Sequence, residues 1–136
     1  MKKFLLLSVL ILFGCSKDSE GEALTPGDEI IGTHQIIDNP DNGQLSQIGY
    51  WDAGAGSTIT FSKNNKGSYT MIKTRNGEVA QQNIIRNFDW SFDGQRWNII
   101  EENLGQWTVS FFSFYTMRVD VNNSYDVARN AIFYFK

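Results

Sequence analysis

Cysteine and histidine each occur once, and proline twice, in a chain of 136 residues. One cysteine cannot make an internal disulfide or a multi-cysteine zinc site. One histidine cannot supply a two-histidine metal motif, and it leaves few parts for a Ser/Cys–His relay. Basic residues are also short: 12 Lys and Arg stand against 15 Asp and Glu, a formal charge of −3. That balance is the opposite of the basic surface a nucleic-acid binder needs. No apolar run reaches the roughly 20 residues of a membrane-crossing helix. There is no Gly-x-Ser-x-Gly elbow, no phosphate-binding loop and no long repeat. We therefore expect no metal, no cofactor and no enzymatic activity. What is present, 41% hydrophobic and 20% charged residues, is the mix of one globular domain.

The first fifteen residues read MKKFLLLSVLILFGC. Lys2 and Lys3 form a positive start, and Phe4 to Phe13 are apolar apart from Ser8. The run has the length of a secretory hydrophobic segment. Leu12-Phe13-Gly14-Cys15 then resembles the bacterial lipobox. The chemistry needs these residue types. A thiolate is the strong nucleophile that forms a thioether to diacylglycerol. A small residue before it lets the peptidase reach the bond, and the freed α-amine can take a further chain. Each buried methylene is worth about 0.8 kcal/mol, so two or three chains anchor durably where one would not. The expected division is 1–14 signal peptide, 15–27 lipidated Cys15 with a flexible tether, and 28–136 folded domain. The tether, Ser16-Lys17-Asp18-Ser19-Glu20-Gly21-Glu22, is polar and acidic without an apolar period. It resembles the export signal of Bacteroidetes surface lipoproteins. The expected partner is thus a bilayer, the outer membrane, with either face open.

From Glu29 onward apolar residues recur with period two, the strand signature. Ile30 to Ile37 read as a first strand, ended by the turn residues of Asp38 to Gly43, and Gln44 to Gly56 as a long loop. Ser57–Ser62 and Ser68–Thr74 flank a hairpin at Asn64-Asn65-Lys66-Gly67. Asn76-Gly77 and Asp93-Gly94 are two-residue turns that tolerate positive φ. Phe88, Trp90 and Phe92 alternate with polar residues, as do Trp97 and Ile99, Trp107, Val109 and Phe111, and Tyr115, Met117, Val119 and Val121. Ala128 to Phe135 form the last strand. The reading is all-β, with eight or nine short strands joined in sequence: an antiparallel up-and-down barrel.

Ile31-Gly32-Thr33-His34, Ile59-Thr60-Phe61-Ser62, Gly67-Ser68-Tyr69, Phe88 to Gly94, Trp107-Thr108-Val109 and Tyr115 to Val119 resemble the small lipocalin-like lipoproteins of Bacteroidetes. The resemblance spans nearly all of 29–136. It implies a barrel whose cup holds a small apolar molecule. His34 stands where that family commonly places the Trp of an opening Gly-x-Trp, a residue that packs across the closed end.

Single residues support little chemistry. His34 without neighbouring ligands reads as an inner-face packing residue. Asp38 to Gly43 fails as a calcium loop, because Pro40 takes a ligand position and Gly49 stands where a bidentate Glu belongs. Adjacent Glu101 and Glu102 point to opposite faces of a strand and cannot act together. Asp89 faces solvent or the cup. Asn122-Asn123-Ser124 reads as a turn. Aromatic residues are the surplus: 19, of which only Phe4 and Phe13 precede the anchor. Two readings follow. Trp90, Trp97 and Trp107 line a cup for a small apolar or amphipathic ligand, with Tyr50 and Trp51 at its mouth. Alternatively the aromatics fill the barrel, and its outer surface or the Tyr50-Trp51 loop docks an envelope protein or component. An interior cavity of a few hundred Å³ would separate the two.

Overall fold

A computed structural model of the chain describes residues 25–111, 114–119 and 131–136. The strands are β1 (Gly32–Ile37), β2 (Gln47–Ile48), β3 (Trp51–Ala53), β4 (Thr58–Phe61), β5 (Lys66–Met71), β6 (Lys73–Arg75), β7 (Glu78–Val79), β8 (Ile84–Phe92), β9 (Trp97–Glu101), β10 (Gly105–Phe111), β11 (Tyr115–Val119) and β12 (Ala131–Phe135). Eight of them, in the order β1-β4-β5-β8-β9-β10-β11-β12, pair antiparallel, and β12 returns to β1 to close the sheet. Each barrel strand lies beside the next barrel strand in the chain. The fold is therefore the closed, up-and-down, lipocalin-like barrel that the alternation implies. Cys15, the signal segment and the turn expected at Asn122-Asn123-Ser124 lie outside the described residues.

Alternation places Ile59 and Phe61, Tyr69 and Met71, Phe88 and Trp90, Trp97 and Ile99, Trp107 and Val109, Met117, and Phe133 and Phe135 inside, all buried. Fully burying side chains of this kind is worth about 1.5–3 kcal/mol each, the main favourable term for the fold. Gly67 carries no side chain because the Phe88 ring lies where its Cβ would be.

The first strand begins later than the pattern suggests. Asp28–Ile30 is a turn of 3₁₀ helix, and Ile30 is fully buried. The indole N–H of Trp97 donates to the Gly27 carbonyl at 2.8 Å. His34 Nε2–H donates to the Ile30 carbonyl at 2.8 Å, and its ring meets Phe61, Tyr115 and Phe135 edge-on. Residues 27–30 thus plug one end of the barrel. Trp97, reached from β9, and His34 together occupy the end where a Gly-x-Trp tryptophan would pack.

The stretch expected to be one long loop contains β2 and β3. They meet across the tight Gly49-Tyr50 turn, where Gly49 has φ +55°. β2 pairs with β12, β3 with β6, and β6 with β7 through Asn76-Gly77, giving a four-stranded flap on the barrel rim. Runs of two or three residues are too short to show a period of two. Two buried serines attach the flap. Ser46 Oγ donates to the Ile37 carbonyl (2.5 Å) and accepts from Tyr134 N–H (2.9 Å), bridging the β1–β12 seam. Ser57 Oγ donates to the Gly54 carbonyl (2.7 Å) and accepts from Ile72 N–H (2.9 Å), where β5 breaks before β6.

Candidate functional site

The interior is occupied by side chains. A network of ring contacts at 4.8–6.1 Å between centroids runs from Phe111 and Phe92 through Tyr115, Trp97, Phe135, His34 and Phe61 to Trp90 and Phe88. Tyr69, Trp107 and Phe133 form a second group, 5.1–6.1 Å apart. Trp90, Trp97 and Trp107 therefore share the interior but fall into two clusters. Their polar atoms differ. Trp90 N–H donates to the Ser62 and Lys66 carbonyls at the β4–β5 turn, and Trp97 N–H to Gly27. Trp107 Nε1 is buried and has no hydrogen-bond partner among the described residues.

One carboxylate is also inside. Glu101 is 2% exposed. Its Oε2 accepts from the N–H groups of Asn103 (2.8 Å) and Leu104 (2.5 Å), and its Oε1 accepts from Tyr69 O–H (3.3 Å). Arg86 Nε lies 3.8 Å from Oε1. Burial, then the negative charge and hydrogen bond of Glu101, push the Tyr69 phenol far above its ordinary pKa. Glu102 points outward and accepts from Asn87 N–H. Asp89 is on the outer wall, paired with Lys66 Nζ at 2.6 Å. Asp93 caps its own turn. The N–H groups of Arg96 and Gln95, then the Asn98 amide, hold its carboxyl below the usual range. His34, Asp89 and Glu101 share no partner among the described residues, which also contain no cluster of three metal-ligating side chains.

Tyr50 sits at the tip of the β2–β3 turn and is 64% exposed. Trp51 is half-buried, packs on the core and lies under Lys73 Nζ, 4.3 Å from the ring centroid. It also borders a cavity of about 390 Å³ with Arg75, Asn76, Glu78, Val79 and Ala80.

A larger cavity, about 540 Å³, lies on the outer wall, where sequence reasoning placed no site. Strand register builds it in two rows. Asn98, Thr108, Arg118 and Ile132 align across β9 to β12, and Ser110, Thr116 and Tyr134 align beside them, with Arg96 entering β9 next to Ser110. Arg96, Thr108, Ser110, Thr116, Arg118, Phe114 and Tyr134 line the cavity, and Asn39 and Asp41 face it from the segment after β1. That segment is held in place. Tyr134 O–H donates to Gln44 Oε1 (2.6 Å), Asn39 and Gln44 are joined by backbone, and Asn39 and Asn42 side chains accept from Asp41 and Gln44 N–H. The Asp38–Gly43 stretch is therefore a turn that forms a cavity rim. The clue was in the sequence: Ile132 to Phe135 are apolar on both faces, so the outer face of β12 needed a cover.

No known protein family, curated protein or solved structure matches this chain. The class is set by the fold alone: a closed eight-stranded antiparallel barrel with a rim flap.

Proposed function

We propose that this protein is a lipid-anchored outer-membrane lipoprotein of the Bacteroidetes lipocalin-like kind. Its barrel is a non-enzymatic binding module that engages an envelope component through its outer wall. The reading is carried by the contrast between the two clusters of packed rings inside the barrel and the 540 Å³ cavity outside it. That volume falls within the roughly 300–1,000 Å³ of small-molecule sites. Support for the anchor is the positive start, the short apolar run and the single cysteine behind Gly14.

Incorporation of labelled palmitate, abolished in Cys15→Ala, tests the anchor; equal labelling of both chains refutes it. A second reading keeps the small apolar ligand inside, between Trp90, Trp97 and Trp107, with entry past Tyr50 and Trp51. The unpartnered Trp107 Nε1 favours it, since a ligand oxygen would satisfy that donor. Titration with a long-chain fatty acid decides between them. Unchanged tryptophan emission supports the outer wall, and saturable quenching supports the cup.

A further inference from the structure

We infer that the outer-wall cavity binds a small, hydroxyl-rich anion, such as an acidic or phosphorylated sugar. This rests on the reading that the barrel binds through its exterior. The chain carries a net charge of −3, yet two guanidiniums border this one cavity. Among the described residues neither Arg96 nor Arg118 has a carboxylate within ion-pair distance. Among the described residues that line the cavity, Asp41 is the one acidic side chain against two guanidiniums.

The register sets the spacing. Arg96 and Arg118 stand two strands and one row apart, about 12 Å between their Cα atoms. Both side chains are exposed and long enough to lean over the ground between them. That ground is hydroxyl-bearing: Ser110, Thr108 and the buried Thr116. Arginine's planar fork matches carboxylate and phosphate oxygens, and the hydroxyls, with Asn39 and Asp41, can donate to or accept from ligand hydroxyls. An aromatic pair, Phe114 and Tyr134, 5.8 Å apart, gives the cavity apolar wall against which the C–H face of a sugar ring can rest. Thr108, Ser110, Thr116, Arg118 and Tyr134 sit on paired strands, Arg96 and Phe114 directly precede β9 and β11, and Asn39 and Asp41 lie on a segment pinned by Tyr134 and Ser46, so the floor of the site is formed before ligand arrives.

Calorimetric titration of the full chain with glucuronate, glucose 6-phosphate and glucose tests this. Saturable binding of at least one anion is expected, weaker at high salt, with none for neutral glucose. Arg96→Gln and Arg118→Gln should each weaken it about tenfold or more, the worth of a hydrogen bond to a charged group, with tryptophan emission unchanged. Thr116→Val should also weaken whichever anion binds. Absence of saturable binding by either anion, or binding that survives in the Arg96→Gln/Arg118→Gln double variant, overturns the inference and leaves outer-wall docking standing. Quenching of the buried tryptophans by the fatty acid overturns the reading beneath it.

Discussion

Replacing Ser46 by alanine removes one oxygen and should weaken the barrel at its seam. The serine is fully buried, and its Oγ serves two backbone groups: it donates to the Ile37 carbonyl and accepts from Tyr134 N–H. These groups lie where β1 and β12 part, at the end of a short seam in which Ile36 faces Phe135, Ile37 faces Tyr134, and Gln35 and Lys136 exchange backbone hydrogen bonds. The alanine side chain offers neither a donor nor an acceptor, and residue 46 has no solvent exposure. An unsatisfied buried backbone group costs about 1–3 kcal/mol. The Tyr134 N–H is buried and takes the full penalty, whereas the Ile37 carbonyl is in a part-buried bond and takes less. The sum is about 2–4 kcal/mol, a large share of the roughly 5–15 kcal/mol that holds a domain folded. Urea unfolding followed by tryptophan emission measures it, with exposed Ser91→Ala as the control. The midpoint should fall for Ser46→Ala at unchanged slope, and Tyr134 amide exchange should quicken. Unfolding free energies that agree within about 0.5 kcal/mol across wild type, Ser46→Ala and Ser91→Ala would refute the seam argument.

Two further outcomes follow from buried polar groups. Tyr69 ionises far above its ordinary value of 10.0 in the folded chain, first through burial and then through Glu101. The unfolded chain therefore releases that proton first, and the stabilisation is complete below about pH 10 and is lost as pH rises beyond it. Urea unfolding between pH 8 and 12 should show a falling alkaline limb that flattens in Tyr69→Phe; parallel limbs would count against the buried pair. Trp97 and Trp107 should respond differently to phenylalanine. Both lose volume, but Trp97→Phe also strips the Gly27 carbonyl of its donor, whereas Trp107→Phe removes an N–H that had no partner. Trp97→Phe should cost about 1–3 kcal/mol more, read from chemical denaturation, and equal losses would refute the assignment of the Gly27 bond.

Much of the barrel was readable because its strands are half-buried and five or more residues long in most cases. Phe88-Trp90 and Trp107-Val109 show their faces through simple alternation, and Asn76-Gly77 and Asp93-Gly94 announce their turns through residues that accept positive φ. The flap was not readable. Gln47-Ile48 is a two-residue strand whose pairing is decided by β12, far away in sequence, and Glu78-Val79, although it follows β6 directly through Asn76-Gly77, is too short to show a period of two. Ile30 belongs to the apolar run of β1 by pattern, yet Gly27 with φ +95° turns the chain so that Ile30 enters the barrel end instead. The outer cavity escaped notice for the same reason. Arg96, Ser110, Thr116 and Asn39 lie on four separate segments, and only the barrel's register brings them together.

The closing strand pairs residues about a hundred positions apart, Ile36 with Phe135. Joining such distant segments carries a loop-closure cost that nearby hairpins such as β4–β5 or β9–β10 do not meet. The hairpins should therefore form early and the ring late. Until β12 docks, β1 and β11 stand as two free edges able to pair with other chains. A slow last step with exposed edges makes this protein's vulnerability kinetic: dilution and prompt delivery of the whole chain should favour recovery of the native ring over aggregation.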